Sequence, residues 1–341
     1  MNLRVLAPGL LTSVQDGGRR GHAAIGVGGA GAMDDVSLRL ANMLVGNAQD
    51  AAALEITLRG PRLRFDADAL IAIAGAEVDA RCGGEIVPPW RPVLLRAGSE
   101  LNLGGMRRGA RAYLAVAGGI ALPAVLGSRS SDINAALGPL PRALAAGDEL
   151  PCAAAPRALC GDLWKTVAVP LEAHTENRRV FAAKWSLDPS PWFDARATRP
   201  ISAIAGTHFD RLDAGSQHAL FGAEFRIGVD SNRVGCRLER VPLKLAAPIE
   251  MVSAGTAPGT LQLPPGGVPI ALTAEAPTTG GYPRIAQVIA IDLPHLAQRR
   301  PGDAVRFAPT DLAAAQMRYL ERERALAKLA SWIQARLHRP W

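Results

Sequence analysis

The chain has 341 residues, of which 48% are hydrophobic and 20% are charged, so it can bury a core and is not disordered over its whole length. This length favours two domains, and the 35 glycines and 26 prolines, which follow no collagen repeat, favour a turn-rich β protein. The formal net charge is +7, but the arginines are scattered among acidic residues without a dense basic tract, so we expect no nucleic-acid partner.

Several kinds of site lack their sequence signature. No G-x-x-x-x-G-K-[ST] phosphate loop occurs, and there is no Met-Lys-Met site for covalent biotin. The cysteines are too far apart for a zinc knuckle and the histidines form no H-x-x-x-H pattern, so we expect buried reduced thiols and no metal site. The N-terminus does not resemble a signal peptide, and prolines and glycines interrupt the longest uncharged run, 251–274. We therefore expect a soluble, cytoplasmic protein without a membrane span.

Hydrophobic spacing predicts a few helices among many strands. The segment Met33–Asn47 has its apolar residues at helical spacing, with Asp34 as a possible cap and Gly46-Asn47 as a stop. Alternation predicts strands within Leu54–Phe65, and the short apolar runs Ala69–Gly75 and Arg111–Gly119 predict two further strands.

A short pattern recurs three times: a glycine, then serine or aspartate, then an alternating apolar stretch. We expect the glycine to take a positive φ in a tight turn and the polar side chain to bond the backbone two residues later, which would start a strand. Its recurrence in both halves is consistent with two related β domains. The three copies are Arg96–Gly104, Ala145–Cys152 and Arg300–Phe307.

Composition also suggests where the domains end. Proline and charge clusters between residues 153 and 200 favour a linker or an elaborated loop. We predict a first β-barrel domain over 1–155, the linker over 156–200, a second β-barrel domain over 201–310 and a C-terminal amphipathic helix over 311–341. The apolar stripe of that helix would pack against its own domain or against a partner.

Two polar segments in the first half are candidate ligand loops. Asp16 and Arg19 lie in the glycine-rich segment 14–27, which would form either an anion- or amide-binding loop or a turn with a salt bridge. Ser128 and Arg129 begin a polar run after a buried strand. Hydroxyls and arginine together can hold a carboxylate or phosphate, and the alternative is a helix N-cap.

Two further candidates lie in the second half. Asn232, Arg233 and Arg237 occur in a polar stretch that is either a ligand site or a turn before a strand. The segment 277–288 combines two threonines with a Gly-Gly pair and a tyrosine, and backbone N–H groups at such a turn can bind an oxyanion. The residues of this Thr278–Tyr282 loop are Thr278, Thr279, Gly280, Gly281 and Tyr282.

Seven segments, in this order, resemble one protein family. They are similar to the C-subunit family of bacterial ATP-dependent 5-oxoprolinase (PxpC), also labelled KipA-like, allophanate hydrolase subunit 2 or biotin-dependent carboxyltransferase. The resemblance covers nearly all of residues 1–307. The segments are PGLLTSVQDGGRRGH, GAMDDVSLRLANMLVGN, AAALEITLRGPRLRF, ARAYLAVAGGI, VLGSRSSDINAALG, SNRVGCRLE and TTGGYPRIA.

The resemblance implies a mainly β fold with two tandem cyclophilin-like β-barrel domains. It also implies a complex with two companion polypeptides, a KipI-like B subunit and a LamB/YcsF-like A subunit. The implied reaction converts ATP, 5-oxo-L-proline and water into L-glutamate, ADP and phosphate, with ATP bound at an interface between polypeptides and no biotin on this chain.

This chemistry assigns roles to the candidate residues. We expect Arg19, Arg129 and Arg233 to bind anionic groups, because charge develops on phosphoryl and carbonyl oxygens during the reaction. Asp16 and Asn232 would help to orient the substrate. The expected substrate-binding residues are Ser128, Arg237 and the five residues of the Thr278–Tyr282 loop.

The chain differs from the usual family pattern just before its last segment. Ala254, Glu275, Ala276 and Pro277 stand where the family usually has glutamate, aspartate, arginine and glutamine. Two other functions therefore remain open. One is a carboxyltransferase component that acts with a biotin-carrying partner on urea or a related amide. The other is a KipA-like antagonist of a kinase-inhibitor protein, without catalysis of its own.

Overall fold

The structure, a computed structural model, describes residues 1–154, 178–194 and 198–337 and consists mainly of β-strands. Its described residues fall into two packed units. The first unit comprises residues within 1–18, 35–195 and 326–341, and the second unit comprises residues within 19–34 and 196–325. Both units are therefore assembled from separate stretches of the chain.

Twenty strands and four α-helices occur in the described residues. The strands are β1 (Asn2–Ala7), β2 (Leu11–Gln15), β3 (Ala53–Thr57), β4 (Arg62–Phe65), β5 (Ala69–Cys82), β6 (Glu85–Ile86), β7 (Val93–Leu95), β8 (Glu100–Val116), β9 (Glu149–Pro151), β10 (Val180–Ala182), β11 (Ile201–Ala205), β12 (Phe225–Ile227), β13 (Gly235–Glu239), β14 (Ala254–Gly255), β15 (Thr260–Gln262), β16 (Ile270–Leu272), β17 (Thr279–Gly280), β18 (Arg284–Val288), β19 (Ala304–Val305) and β20 (Phe307–Pro309). The helices are α1 (Asp35–Leu44), α2 (Ala214–Gly222), α3 (Leu293–Ala297) and α4 (Leu312–Leu337).

The first unit is built on one antiparallel sheet. Its main path runs β10-β7-β5-β8-β4-β1-β9, and β3 joins β2 to β8. The long strands β5 and β8 pair along most of their length, with irregular register between Gly75 and Ala80. Leu54 on β3, Ile73 on β5 and Leu114 on β8 are completely or almost completely buried in one apolar cluster, so alternating apolar side chains of the sheet provide the core.

The second unit has its own sheet and core. The order is β19-β12-β13-β16-β15-β18-β11-β20, and β11 runs parallel to β20. The rings of Phe225 and Phe307 meet edge to face with centroids 5.8 Å apart, an arrangement that aromatic pairs prefer. A separate two-stranded β14–β17 ribbon pairs Ala254 with Gly280 and Gly255 with Thr279.

The predicted mainly β fold with a C-terminal helix is confirmed. The predicted helix 33–47 is observed as α1, and Gly46 follows it at φ 72°, a backbone conformation that glycine adopts without steric cost. Helix α4 begins one residue after its predicted start, and residues 338–341 lie outside the described part of the chain.

The predicted domain boundaries remain predictions. Residues 156–177 and 195–197 of the predicted linker lie outside the described residues. The described part of that linker contributes β10, which pairs with β7 in the sheet of the first unit. In the described chain, no helix combines the length and the hydrophobicity that a membrane span requires.

The recurring glycine turns form as expected, with one difference. Gly98, Gly147 and Gly302 have φ values of 75°, 93° and 86°, and each lies two residues before a strand. In two of the three copies, however, the polar residue bonds backward: Asp148 accepts from the N–H of residue 145, and Asp303 accepts from that of residue 300. The carboxylate therefore closes the turn on its N-terminal side, whereas we expected a bond to the strand side.

Three of the four cysteines, which we expect to be buried thiols, can be described. Cys82, Cys152 and Cys236 are buried, and burial raises the pKa of the Cys152 thiol to about 11. Cys160 lies outside the described residues. A thiol with so high a pKa is almost entirely protonated at neutral pH, so Cys152 fits an apolar structural role.

Candidate functional site

The first candidate site surrounds the carboxylate of Asp16, which follows β2 and is 6% exposed. Its Oδ1 accepts hydrogen bonds from the hydroxyls of Ser128 and Ser130, both at 2.6 Å, and from the N–H of Gly18 at 2.8 Å. Its Oδ2 accepts from the N–H of Arg129. We call Asp16, Ser128, Arg129 and Ser130 the Asp16 cluster. The carboxylate thus joins two segments more than 110 residues apart in the sequence.

The chain around Ser128 is shaped to present these donors. Leu126 and Gly127 both adopt positive φ, at 52° and 78°, which is uncommon for a leucine. The turn that they make directs Ser128 and Ser130 inward, where both are fully buried. Arg129, between them, is exposed, and its Nε donates to the carbonyl of Leu122 at 2.6 Å. The carbonyl of Leu122 therefore anchors the guanidinium at its base, while the buried carboxylate holds the backbone of the same residue.

Two outcomes follow for the predictions in the first unit. The structure brings Asp16, Ser128 and Arg129 together, as a shared site requires. The alternative helix N-cap is not observed, because residues 133–136 form a turn in which Asp132 accepts from the N–H of Ala135. Ser130 is a contact that we did not select, although it belongs to the same polar run.

The second candidate site is a buried ion pair in the second unit. Nε of Arg233 donates to Oε1 of Glu275 at 2.6 Å, and Nη2 donates to the carbonyl of Gly31 at 2.6 Å. Arg233 is 3% exposed and Glu275 is 6% exposed. This guanidinium is already occupied, so binding an anionic ligand would require the ion pair to open.

The other predicted residues of the second unit lie in turns and on strands. Asn232 is exposed, and its Oδ1 accepts from the N–H groups of Val234 and Gly235, at 2.8 Å and 3.3 Å, which shapes the turn before β13. Arg237 lies on β13 with an exposed side chain. Arg19 is 3% exposed, and its backbone N–H donates to the carbonyl of Gly29 at 2.6 Å.

The Thr278–Tyr282 loop contains one strand of the β14–β17 ribbon. The carbonyl of Thr278 accepts from the N–H of Thr256 at 3.0 Å, which ties the loop to the other strand of the ribbon. Gly281 and Tyr282 line a cavity of about 640 Å³ in the second unit. Most of its other lining side chains are apolar, and the residues include Leu243, Lys244, Ile249, Met251, Leu263 and Pro264.

Potential metal-ligating side chains do not cluster in the described residues. No group of three or more histidine, cysteine, aspartate or glutamate side chains lies close enough within ranges 1–154, 178–194 and 198–337 to share an ion. His174 and His338 lie outside these ranges. Asp16 is instead surrounded by hydrogen-bond donors, which is the environment of a carboxylate that organises a loop.

A family model described as "Carboxyltransferase domain, subdomain A and B" matches residues 25–309. The chain is 36% identical over 338 residues to the C subunit of 5-oxoprolinase from Escherichia coli (strain K12), covering 98% of this chain and 99% of that protein. It is 33% identical over 304 residues to the protein of the same name from Haemophilus influenzae, covering 89% of each.

A solved structure has a similar fold over most of this chain. The crystal structure of the Kluyveromyces lactis urea carboxylase superposes with a TM-score of 0.81 at 29% sequence identity. The match covers 95% of this chain but only 29% of the yeast chain. The chain thus corresponds to less than a third of that enzyme, whereas it spans almost the whole length of the Escherichia coli protein.

Proposed function

The chain belongs to the family of carboxyltransferase domains with subdomains A and B, and we propose that it is the C subunit of an ATP-dependent 5-oxoprolinase. The observation that carries this proposal is the extent of the match to the Escherichia coli protein, which leaves almost no part of either chain uncovered. In this proposal the chain works with the A and B subunits of the enzyme, and together they hydrolyse 5-oxo-L-proline to L-glutamate while ATP becomes ADP and phosphate.

The proposed chemistry needs stabilisation of anionic oxygens. A lactam carbonyl is a poor electrophile, and transfer of the γ-phosphoryl group of ATP to its oxygen makes attack by water feasible. Negative charge then develops on phosphoryl and carbonyl oxygens, where positioned cations lower the barrier. We assign this role to the exposed guanidinium of Arg129. In this proposal ATP binds at the interface with a companion polypeptide, as the resemblance to the 5-oxoprolinase family implies.

Asp16 supports this chemistry by holding Arg129 in position. Its carboxylate accepts from both serines and from the N–H of Arg129, so it fixes the backbone that carries the guanidinium. A well-aligned charged group stabilises the transition state more than a mobile one, because it does not have to be oriented during the reaction. Asp16 is therefore a positioning residue and Arg129 the group that contacts the anion.

A reconstituted complex tests the proposal. The chain is purified together with the proteins encoded beside it, and ADP release is measured with and without 5-oxo-L-proline. We expect release to depend on the lactam, and the Arg129→Gln variant to lower kcat by about tenfold or more. The matched control is Arg306→Gln, which removes an exposed arginine that pairs with Glu224. A complex that assembles but releases no ADP with 5-oxo-L-proline contradicts the proposal.

A second candidate is carboxyl transfer with a biotin-carrying partner. The similarity to urea carboxylase favours it, and the apolar cavity beside Tyr282 lies in the size range of small-molecule sites, about 300–1,000 Å³. A bicyclic ring attached to a partner could enter such a cavity. Transfer of labelled carboxylate from a carboxybiotin-bearing partner to urea, without lactam-dependent ADP release, would favour this function over the first.

A further inference from the structure

Two side chains beneath the Thr278–Tyr282 loop have donors without acceptors. Gln262 on β15 and Arg284 on β18 lie directly opposite each other in the antiparallel register. Gln262 is 5% exposed, and its Nε2 has no hydrogen-bond partner among the described residues. Nε of Arg284 is buried and likewise without a partner in the described chain. Unsatisfied buried donors are costly, so a facing pair of them suggests that an acceptor belongs there.

The positive charge of Arg284 has no carboxylate partner in the described chain. Nη1 of Arg284 donates to the carbonyl of Gly255 at 3.0 Å, and no carboxylate of the described residues lies within 4 Å of the guanidinium. The N–H of Arg284 donates to Nδ1 of His208 at 3.2 Å. Burial, followed by the charges of Arg284 and Arg211, lowers the pKa of His208, so the surroundings are cationic. A partly buried guanidinium with a buried, unpartnered Nε and no carboxylate within 4 Å in the described chain favours an anionic ligand.

The pair also lies against the loop that we assign to the substrate. A side-chain carbon added at Gly280 would lie 2.3 Å from Nε2 of Gln262, so only glycine lets the ribbon approach the amide this closely. The same added carbon would lie 3.2 Å from the methyl group of Thr256, on the segment after the other strand of the ribbon. The ribbon therefore covers the donors, and Thr279, Gly281 and Tyr282 remain exposed above them.

We propose that Gln262 and Arg284 form a subsite for the carboxylate of a small-molecule substrate. One carboxylate oxygen would accept from Nε2 of Gln262 and the other from Nε of Arg284, which satisfies both donors and neutralises the guanidinium. This inference rests on the proposed function, in which the substrate is a lactam that carries one carboxylate. The subsite then recognises that carboxylate, and the reacting lactam group lies elsewhere in the molecule of substrate.

The experiment compares two lactams in the reconstituted complex. 5-Oxo-L-proline carries the carboxylate, and 2-pyrrolidinone has the same ring without it. For Arg284→Gln we expect the KM for 5-oxo-L-proline to rise by about tenfold or more, with the KM for 2-pyrrolidinone changed by less than about twofold. Arg306→Gln is the matched control, because it removes the same charge from an exposed position of the second unit.

A second variant separates binding from folding. Gln262→Glu keeps the shape of the side chain but replaces the donor by a carboxylate that can pair with Arg284. We expect this variant to keep or raise the melting temperature and to lose affinity for 5-oxo-L-proline. If the complex turns over 5-oxo-L-proline and both variants behave like Arg306→Gln, the subsite is wrong and the proposed function stands.

A direct binding measurement covers the case in which the complex shows no turnover. Saturation-transfer NMR then records binding of 5-oxo-L-proline and of 2-pyrrolidinone to the full chain. Carboxylate-dependent binding that is lost in Arg284→Gln supports the subsite even if the proposed reaction fails. Equal signals from the two lactams, or none from either, overturn it and leave a buried water as the acceptor.

Discussion

Asp16 and Arg233 are both buried charges near predicted ligand loops, but their surroundings satisfy them in different ways. The carboxylate of Asp16 is held by two hydroxyls and two backbone N–H groups, all of them neutral. The guanidinium of Arg233 is neutralised by the carboxylate of Glu275, and it also donates a hydrogen bond to a backbone carbonyl. The first arrangement spreads the charge over a turn, and the second depends on one opposite charge.

Arg284 lacks a feature that Asp16 and Arg233 share, namely protein partners for all of the polar atoms discussed above. The carboxylate of Asp16 and the guanidinium of Arg233 both have hydrogen-bond partners on the protein, whereas the buried Nε of Arg284 has neither a hydrogen-bond partner nor a carboxylate within 4 Å in the described chain. A buried charge that the protein itself satisfies holds loops together. A charged side chain with a buried donor that the protein leaves unsatisfied, such as Nε of Arg284, is the better candidate for contact with a ligand.

The largest expected effect comes from breaking the ion pair of the second unit. Glu275→Ala leaves the guanidinium of Arg233 buried without its carboxylate, and we expect the free energy of unfolding to fall by about 3–5 kcal/mol. Urea denaturation measures this change. The double variant Arg233→Met, Glu275→Leu should recover most of the loss, because both charges are then absent. A loss below about 1 kcal/mol in Glu275→Ala would mean that the pair is not buried in solution.

Removing the carboxylate of the Asp16 cluster should lower the free energy of unfolding by less than Glu275→Ala does. Asp16→Ala leaves four donors without their acceptor, but the two hydroxyls can rotate toward other partners, so we expect a loss of about 2–3 kcal/mol. Asp188→Ala is the control, because Asp188 is exposed and, among the described residues, its carboxylate accepts hydrogen bonds from Ser190 alone. Equal losses in the two variants would contradict the organising role of Asp16.

A single hydroxyl of the Asp16 cluster should contribute less to the free energy of unfolding than the carboxylate does. Ser128→Ala removes the bond to Oδ1 of Asp16 and the bond that the hydroxyl accepts from the N–H of Ser130, and we expect a loss of about 1.5 kcal/mol at neutral pH. In an Asp16→Ala background the same change should cost clearly less, because only the bond from the N–H of Ser130 remains to be lost. Chemical denaturation of the four proteins of this double-mutant cycle gives the coupling. Additive losses would show that Ser128 stabilises the turn independently of Asp16.

Features set by neighbouring residues could be predicted from the sequence. The stop of α1 at Gly46 and the positive φ at Gly98, Gly147 and Gly302 follow from glycine itself, whatever the rest of the fold does. The direction of the hydrogen bond to Asp148 was missed, because a carboxylate in such a turn can reach N–H groups on either side.

Features set by distant partners were harder to predict. Both halves of the Asp16 cluster were selected by composition, but nothing in the sequence shows that Ser128 bonds a residue 112 positions earlier. Arg233 was selected as an anion binder because an arginine in a polar turn favours that role. Its partner Glu275 lies 42 positions away, and the only signal was that a carboxylate is retained where the family usually has aspartate.

The smallest expected effect comes from an ion pair at the surface of the first unit, which has the same chemical groups as Arg233 and Glu275. Arg142 donates to both carboxylate oxygens of Asp148, at 2.8 Å and 2.7 Å, but about half of the arginine side chain is exposed. Solvent and salt screen such a pair, so Arg142→Gln should lower the free energy of unfolding by only about 0.5 kcal/mol at pH 7.

The pH dependence of that difference identifies its origin. The hydrogen bond from Arg142, above other causes, lowers the pKa of Asp148 below its ordinary value of 3.8. The contribution of the pair is therefore present above the unfolded pKa and disappears as the pH falls through the lower folded value. The wild type and Arg142→Gln should converge at about pH 2, whereas Arg107→Gln, an exposed arginine with no carboxylate within 4 Å among the described residues, should match the wild type at both pH values. If the gap between the wild type and Arg142→Gln persists at about pH 2, the arginine acts through packing of its side chain and charge pairing is not the cause.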